Sequence, residues 1–420
     1  MQPPNPRSPM FKVSLLSASL LLSEAGAVSP TLPYLTREFP GVSHSAVQSF
    51  VTMPALAGIV ATLAAGALAA SVGKRALMLA GVLLVVVGGV APLALIPAGN
   101  FTVVMAARLL VGVGVGLLQP LTSSLNADFY RGRERGRMMG WQSSMVGIGN
   151  VVWSVAVAAL MTFRWQAAFL VYLTALVIFT LLWRFLAEPE KVRSPVTAGE
   201  WQASSGRRGA LLSGRRAIPS GTLPAAVLMM FMTVGYQALI VAVPFLAVDE
   251  RHLTDGAGVS LVMTSSGVAS IVAGIAFGFV FSRLRVWTVT TGLVFLTAGL
   301  VCAGVAHDLV VLHAGAVLTG LGFGSYMPFA ITTMNEQATL KTSALVTAVL
   351  YTGASIGVFA APYFFTLTGR ITGSTSASGQ LLTGAVVAAA VAIAATVFYR
   401  TERRGSMVAG QVAEVEGAST

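Results

Sequence analysis

About twelve runs of apolar residues, each long enough to cross a bilayer, dominate this chain: 12–33, 47–70, 76–97, 101–124, 138–161, 166–187, 223–247, 258–281, 287–306, 309–332, 343–367 and 379–399. A spanning helix needs about 20 mostly apolar residues, and it satisfies its own backbone N–H and C=O groups where no water is present. Of the 420 residues, 55% are hydrophobic and 10% charged, against about 25% charged in a soluble domain. A chain this apolar hides its surface in lipid. The sequence therefore predicts an all-α membrane protein of about twelve transmembrane helices. The first run is of spanning length and lacks a small-residue cleavage site behind a short apolar core, so it reads as a span and not as a secretory signal.

The connections are short except at 188–222, where Glu188, Lys191, Arg193, Glu200, Arg207, Arg208, Arg215 and Arg216 stand among Gly, Ser and Pro. Such a polar segment reads as a flexible linker. It divides the chain into a six-helix bundle at 1–187 and a second at 223–420 that ends in a short tail. Lys and Arg then fix the orientation. One set of loops carries Arg7, Lys12, Lys74, Arg75, Arg131, Arg133, Arg135, Arg137, the basic linker, Arg283, Arg285, Lys341, Arg400, Arg403 and Arg404, while the opposite set carries only Arg37, Arg164, Arg251 and Arg370. Both termini and the linker are expected on the cytoplasmic face of a plasma (inner) membrane. The net charge of +11 is thereby accounted for without nucleic acid as a partner. The single Cys302 can form no internal disulfide, and His307 and His313 are not spaced with other ligands, so no metal or cofactor is expected.

The halves repeat each other. Gly112, Gly114, Gly116 and Pro120 in the fourth span recur as Gly320, Gly322, Gly324 and Pro328 in the tenth, a shift of 208 positions. The same shift carries Gly66 to Gly274, Arg75 to Arg283 and Asp128 to Glu336. A parallel repeat of two six-helix bundles places a substrate between the halves, near the bilayer midplane. The glycines do not read as a nucleotide loop, which needs a strand before it and a lysine for the phosphates.

The loop after the second span, Gly66 to Ser71 followed by Val72, Gly73, Lys74 and Arg75, resembles the signature loop of the major facilitator superfamily. Ala70 stands where that family carries an Asp. Arg108 followed by Gly112, Gly114 and Gly116 is similar to the family's fourth-span motif. Asp128-Phe-Tyr with Glu134, Arg135 and Gly136 is similar to the segment between its fourth and fifth spans, and Trp165 and Phe169 match the start of its sixth. The resemblance covers nearly the whole chain and points to the twelve-span, drug:proton antiporter-like branch. The fifth span carries Gly147, Gly149 and Asn150 without the proline of that branch's Gly-Pro motif. The resemblance implies gating roles for Gly66, Gly73, Lys74, Arg75, Asp128 and Arg135.

An ionisable side chain inside a span costs about 2.5–3.5 kcal/mol on insertion scales and is a functional hypothesis by default. Glu24 lies roughly 18 Å into the first span at 1.5 Å per residue, and Arg108 lies roughly 20 Å from the same side in the fourth. Their heights agree, so a pair is expected. It reads either as a proton or substrate switch, with Glu24 as the proton-coupling residue, or as a static ion pair. Asn150, Trp153, Tyr236, Gln237 and Tyr326 are midspan residues that either line a cavity or join helices. Met53, Met229, Met230 and Met232 read mainly as packing.

Three functions follow. The first is a monomeric secondary transporter that works by alternating access and uses protons to export lipophilic or amphipathic small molecules. The second is a transporter of a polar solute such as a sugar or organic acid, with Arg108 as an anion anchor. The third is a membrane receptor or enzyme. No nucleophile with a base and no paired acids stand in the spans, so no catalytic residue and no enzyme activity is expected.

Overall fold

The computed structural model describes residues 8–188, 219–338 and 342–418, without the side chains of 24, 25, 127, 132, 133, 135, 136, 343, 344 and 402–418. The side chains of Glu24 and Arg135, and nearly all of the 188–222 linker, thus lie outside the described residues.

Eleven of the described helices are long and apolar enough to cross a membrane, and they coincide with the second to twelfth predicted runs: His44–Val72, Lys74–Leu95, Phe101–Asn126, Arg137–Met161, Trp165–Phe185, Thr222–Glu250, Gly256–Leu284, Trp287–Val305, Leu309–Glu336, Leu345–Thr372 and Ala377–Thr401. The first run departs from a regular helix. It is α-helical at Pro9–Ser17, 3₁₀ at Ala18–Gly26 and Ser29–Thr31, and α-helical again at Leu32–Glu38. Pro30 and Pro33 have no N–H to donate and their rings collide with the carbonyls four residues back, at Gly26 and Ser29. A 3₁₀ turn rises about 2.0 Å per residue, so Glu24 stands roughly 22 Å above residue 12 and not the roughly 18 Å of an unbroken α-helix.

The fifth span supports this irregular stretch. The indole Nε1 of Trp153 donates to the carbonyl of Leu20 at 2.6 Å, and Ser23 Oγ donates to the carbonyl of Val146 at 3.1 Å. Gly149 makes the approach possible, since a Cβ there would lie 2.6 Å from the Leu20 oxygen.

Within each half the repeated glycines do the same work. Gly112 and Gly116 lie against Pro54 and Gly58 of the second span, and Gly114 lies against Gly81 of the third. Gly320 and Gly324 lie against Ser266 and Ser270 of the eighth span, and Gly322 against Gly292 of the ninth. A Cβ at any of the six would come within 2.1–2.6 Å of a backbone oxygen. The motif is a two-sided packing surface, with its outer glycines on one neighbour and its central glycine on the other.

The halves pack along the second and eleventh spans and along the fifth and eighth. The hydrogen bonds that join them among the described residues cluster at the end of the bundle opposite the chain termini. There Arg37 pairs with Asp249 at 2.6 Å, and Tyr34 Oη accepts from the Gly256 N–H at 3.1 Å. Gln48 Nε2 donates to Gln380 Oε1 at 2.8 Å and to the Val241 carbonyl at 3.3 Å, and Ser49 Oγ donates to Tyr363 Oη at 3.1 Å.

Candidate functional site

Arg108 is fully buried. Its Nε donates to the carbonyl of Phe50 at 3.0 Å and its Nη1 to the hydroxyl of Tyr172 at 2.8 Å. The guanidinium carbon lies 4.7 Å from the ring centre of Phe50 and 5.7 Å from that of Tyr172. Close packing of the second span on the bare face of the fourth brings the Phe50 carbonyl within reach. Tyr172 is seated the same way on the third span, where a Cβ on Gly89 would lie 2.1 Å from its Cγ. A guanidinium in hydrocarbon is tolerable only if its donors are used and its charge is spread, and aromatic faces attract a desolvated cation. Here a backbone carbonyl and a hydroxyl of the same half take two of its donors, and two aromatic faces of that half lie beside its charge. Sequence reading missed Tyr172, because no local pattern marks it.

The other singled-out residues scatter. Asn150 lies at the junction of the halves, its Cγ 3.6 Å from the Cβ position of Gly267 on the eighth span. Trp153 is buried and its single donor is committed to Leu20, which makes it a clamp between the fifth and first spans. Tyr236 stacks on Phe323 with ring centres 4.0 Å apart. Gln237 is buried. Tyr326 is fully buried in the second half, beside Phe329 and Tyr399. The geometry therefore brings Arg108, Phe50 and Tyr172 together, sets Asn150 between the halves, and gives Trp153 and Tyr326 packing surroundings.

A second cluster lies at the termini end of the first half. Gly73 closes the second span at φ +97°, a conformation that favours glycine. The next two residues begin the third span, and their N–H groups donate to the carboxylate of Glu188, at 2.8 Å from Lys74 and 2.8 Å from Arg75. A carboxylate is favourable there, where helix N–H groups have no partner of their own and the helix dipole is positive. Lys74 Nζ reaches Asp128 at 2.6 Å and Ser124 Oγ at 2.6 Å, and Arg75 Nη2 donates to the Trp183 carbonyl. The loop is thus tied to the ends of the fourth and sixth spans. Ala70 carries no acid, and Glu188, the first residue of the expected linker segment, supplies a carboxylate to the start of the third span. Gly66 has open space around it. Nearby, Lys12 pairs with Glu134 at 2.7 Å and lies 5.5 Å from the ring centre of Tyr130, whose hydroxyl is pushed up to about 12 by burial and by Glu134. Among the described residues no ion pair joins the second-half counterparts Arg283 and Glu336.

The fold has counterparts among solved structures. The chain's fold is similar to that of a D-xylose–proton symporter (15% identity, 91% of this chain and 96% of that one, TM-score 0.66). It is also similar to the peptide transporter POT in complex with alafosfalin (15% identity, 93% and 95%, TM-score 0.66). A third likeness is to an inward-open conformation of the xylose transporter XylE from E. coli (14% identity, 90% and 94%, TM-score 0.64). At these identities the likeness shows the fold. No curated protein sequence gives a significant match. The sequence profile of the Major Facilitator Superfamily matches residues 14–261 and again residues 225–416, and with both halves covered the chain belongs to that superfamily of membrane transporters.

Proposed function

We propose that the protein is a proton-coupled secondary transporter that exports lipophilic or amphipathic small molecules by alternating access. The observation that carries this reading is Arg108, a fully buried cation in the fourth span held by a carbonyl, a hydroxyl and two rings of its own half. Such a charge fixes the field at the midplane. It favours the ionised form of a nearby acid, while burial favours the protonated form. Glu24 is the acid at a matching depth, and a change in its distance from Arg108 during the cycle releases or takes up a proton. The stacked Tyr236 and Phe323 offer an aromatic surface to an amphipathic substrate, and Asn150 and Gln237 supply sparse polar contacts. The lysine and arginine bias puts both termini in the cytoplasm of a plasma (inner) membrane, so the joined end of the bundle faces outward and the binding region opens inward. The clasp around Gly73, Lys74, Arg75, Asp128 and Glu188, with Arg135 close in sequence, holds the first half rigid at its cytoplasmic end.

The test is flux in proteoliposomes across an imposed pH gradient, with a panel of lipophilic cations, amphipathic anions and sugars. Parent protein moves amphipathic compounds against the proton gradient, and Glu24→Gln abolishes the gradient dependence. Gradient-driven flux unchanged in Glu24→Gln would sink the proton role. Flux of sugars alone would favour a polar-solute carrier.

A further inference from the structure

We propose that the buried amide of Gln48, and not the neighbouring Arg37–Asp249 ion pair, is the latch that holds the two halves together at the end opposite the termini. Gln48 is fully buried, and its Nε2 donates across the junction to Gln380 Oε1 at 2.8 Å and to the Val241 carbonyl at 3.3 Å. The receiving side is rigid. Glu250 caps the start of the twelfth span through the Ala377 and Ser378 N–H groups, and Gly384 and Gly235 let that span lie directly on the seventh, which carries Val241. Arg37 and Asp249 also meet across the junction, but their side chains are 58% and 33% exposed. An exposed ion pair is weakened by water and salt and contributes little. A buried donor stripped of its acceptors is penalised far more. Gln48 Oε1 has no partner in this arrangement although it is buried.

This inference rests on alternating access and not on proton coupling. The test is labelling of a reporter cysteine with an impermeant maleimide, in the full-length protein carrying Cys302→Ser and Thr52→Cys. Thr52 is buried one helical turn from Gln48 on the same face of the second span. Sealed vesicles of both orientations identify the end being read, and no transported compound is needed, so a failed transport assay leaves the result interpretable. Gln48→Leu is expected to raise the labelling rate roughly 5–30-fold. Gln380→Leu should do the same, and the double variant no more than either single one. Arg37→Ala should raise it less than about 5-fold, and high salt should leave it unchanged. The two leucine variants reach the latch from opposite halves, so one that fails to fold leaves the other to decide. An unchanged rate in a monodisperse leucine variant would overturn the proposal, as would an effect of Arg37→Ala or of salt as large as that of Gln48→Leu.

Discussion

Tyr172→Phe removes one oxygen atom from the neighbourhood of Arg108 and keeps the ring. The phenyl ring stays beside the guanidinium, 5.7 Å away at present, and stays seated over Gly89, so the aromatic contribution and the packing are kept. What disappears is the acceptor 2.8 Å from Nη1. A hydrogen bond to a charged group contributes about 1.5–3 kcal/mol net. Because Arg108 is fully buried, bulk water does not replace the lost acceptor, and the upper part of that range applies. Scaled to 420 residues, an unfolding entropy of about 2.1 cal/mol/K per residue gives about 1 °C per kcal/mol, so the apparent melting temperature in detergent should fall by about 2–3 °C. A cycle with Arg108→Met isolates the coupling: once the charge is gone, Tyr172→Phe should cost less than in the parent, with a coupling energy of about 0.5–3 kcal/mol. Melting within about 1 °C of the parent for Tyr172→Phe alone, or additive effects in the double variant, would refute the view that this hydroxyl supports the buried charge.

Two glycines singled out by different routes should behave oppositely. Gly89→Ala drives a methyl group into the buried ring of Tyr172, 2.1 Å from its Cγ, and should cost about 1–3 kcal/mol in strain and more as Tyr172 leaves Arg108. Gly66→Ala meets open space and should be neutral or stabilising by up to about 1 kcal/mol, both read from thermal melts. Glu188→Gln keeps the shape of the cap on Lys74 and Arg75 but removes its charge. It should destabilise by about 0.5–1 kcal/mol and speed proteolysis after the sixth span, measurable by limited digestion.

The bilayer made much of this architecture readable. A segment in lipid must be about 20 residues long and satisfy its own backbone, so the second to twelfth spans stood out as runs of apolar residues. The repeated glycines were equally plain, because only glycine admits a neighbouring backbone oxygen at 2.1–2.6 Å from the Cβ position. The break in the first span was present as Gly26, Pro30 and Pro33, but a count of apolar residues is blind to it. Partners that meet through helix packing left no local trace. Tyr172 finds Arg108 across 64 positions, Glu188 finds Lys74 across 114, and Gln380 finds Gln48 across 332. Each pairing depends on which faces of which helices meet, and periodicity within one span does not specify that.

The repeat preserves packing and abandons charge. The shift that superposes the glycine motifs takes Arg108 to Ala316 and Glu24 to Met232, both fully buried. An asymmetry of this kind suits two halves that rock against each other. Phe50 and Tyr172, which accept hydrogen bonds from Arg108, belong to its own half, so a rocking of one half against the other leaves these two bonds in place. In the alternating-access cycle proposed above, those contacts add nothing to the barrier between states. Across the junction stand instead the neutral amides and hydroxyls of Gln48, Gln380, Ser49 and Tyr363, beside the exposed Arg37–Asp249 pair. Leaving one of these unpaired costs about 1–3 kcal/mol, small enough to be recovered from substrate binding or from a proton gradient. A second buried charge spanning the junction would raise that barrier by the several kcal/mol that separating a buried ion pair requires. The bare second half therefore follows from the same physics that makes Arg108 tolerable in the first.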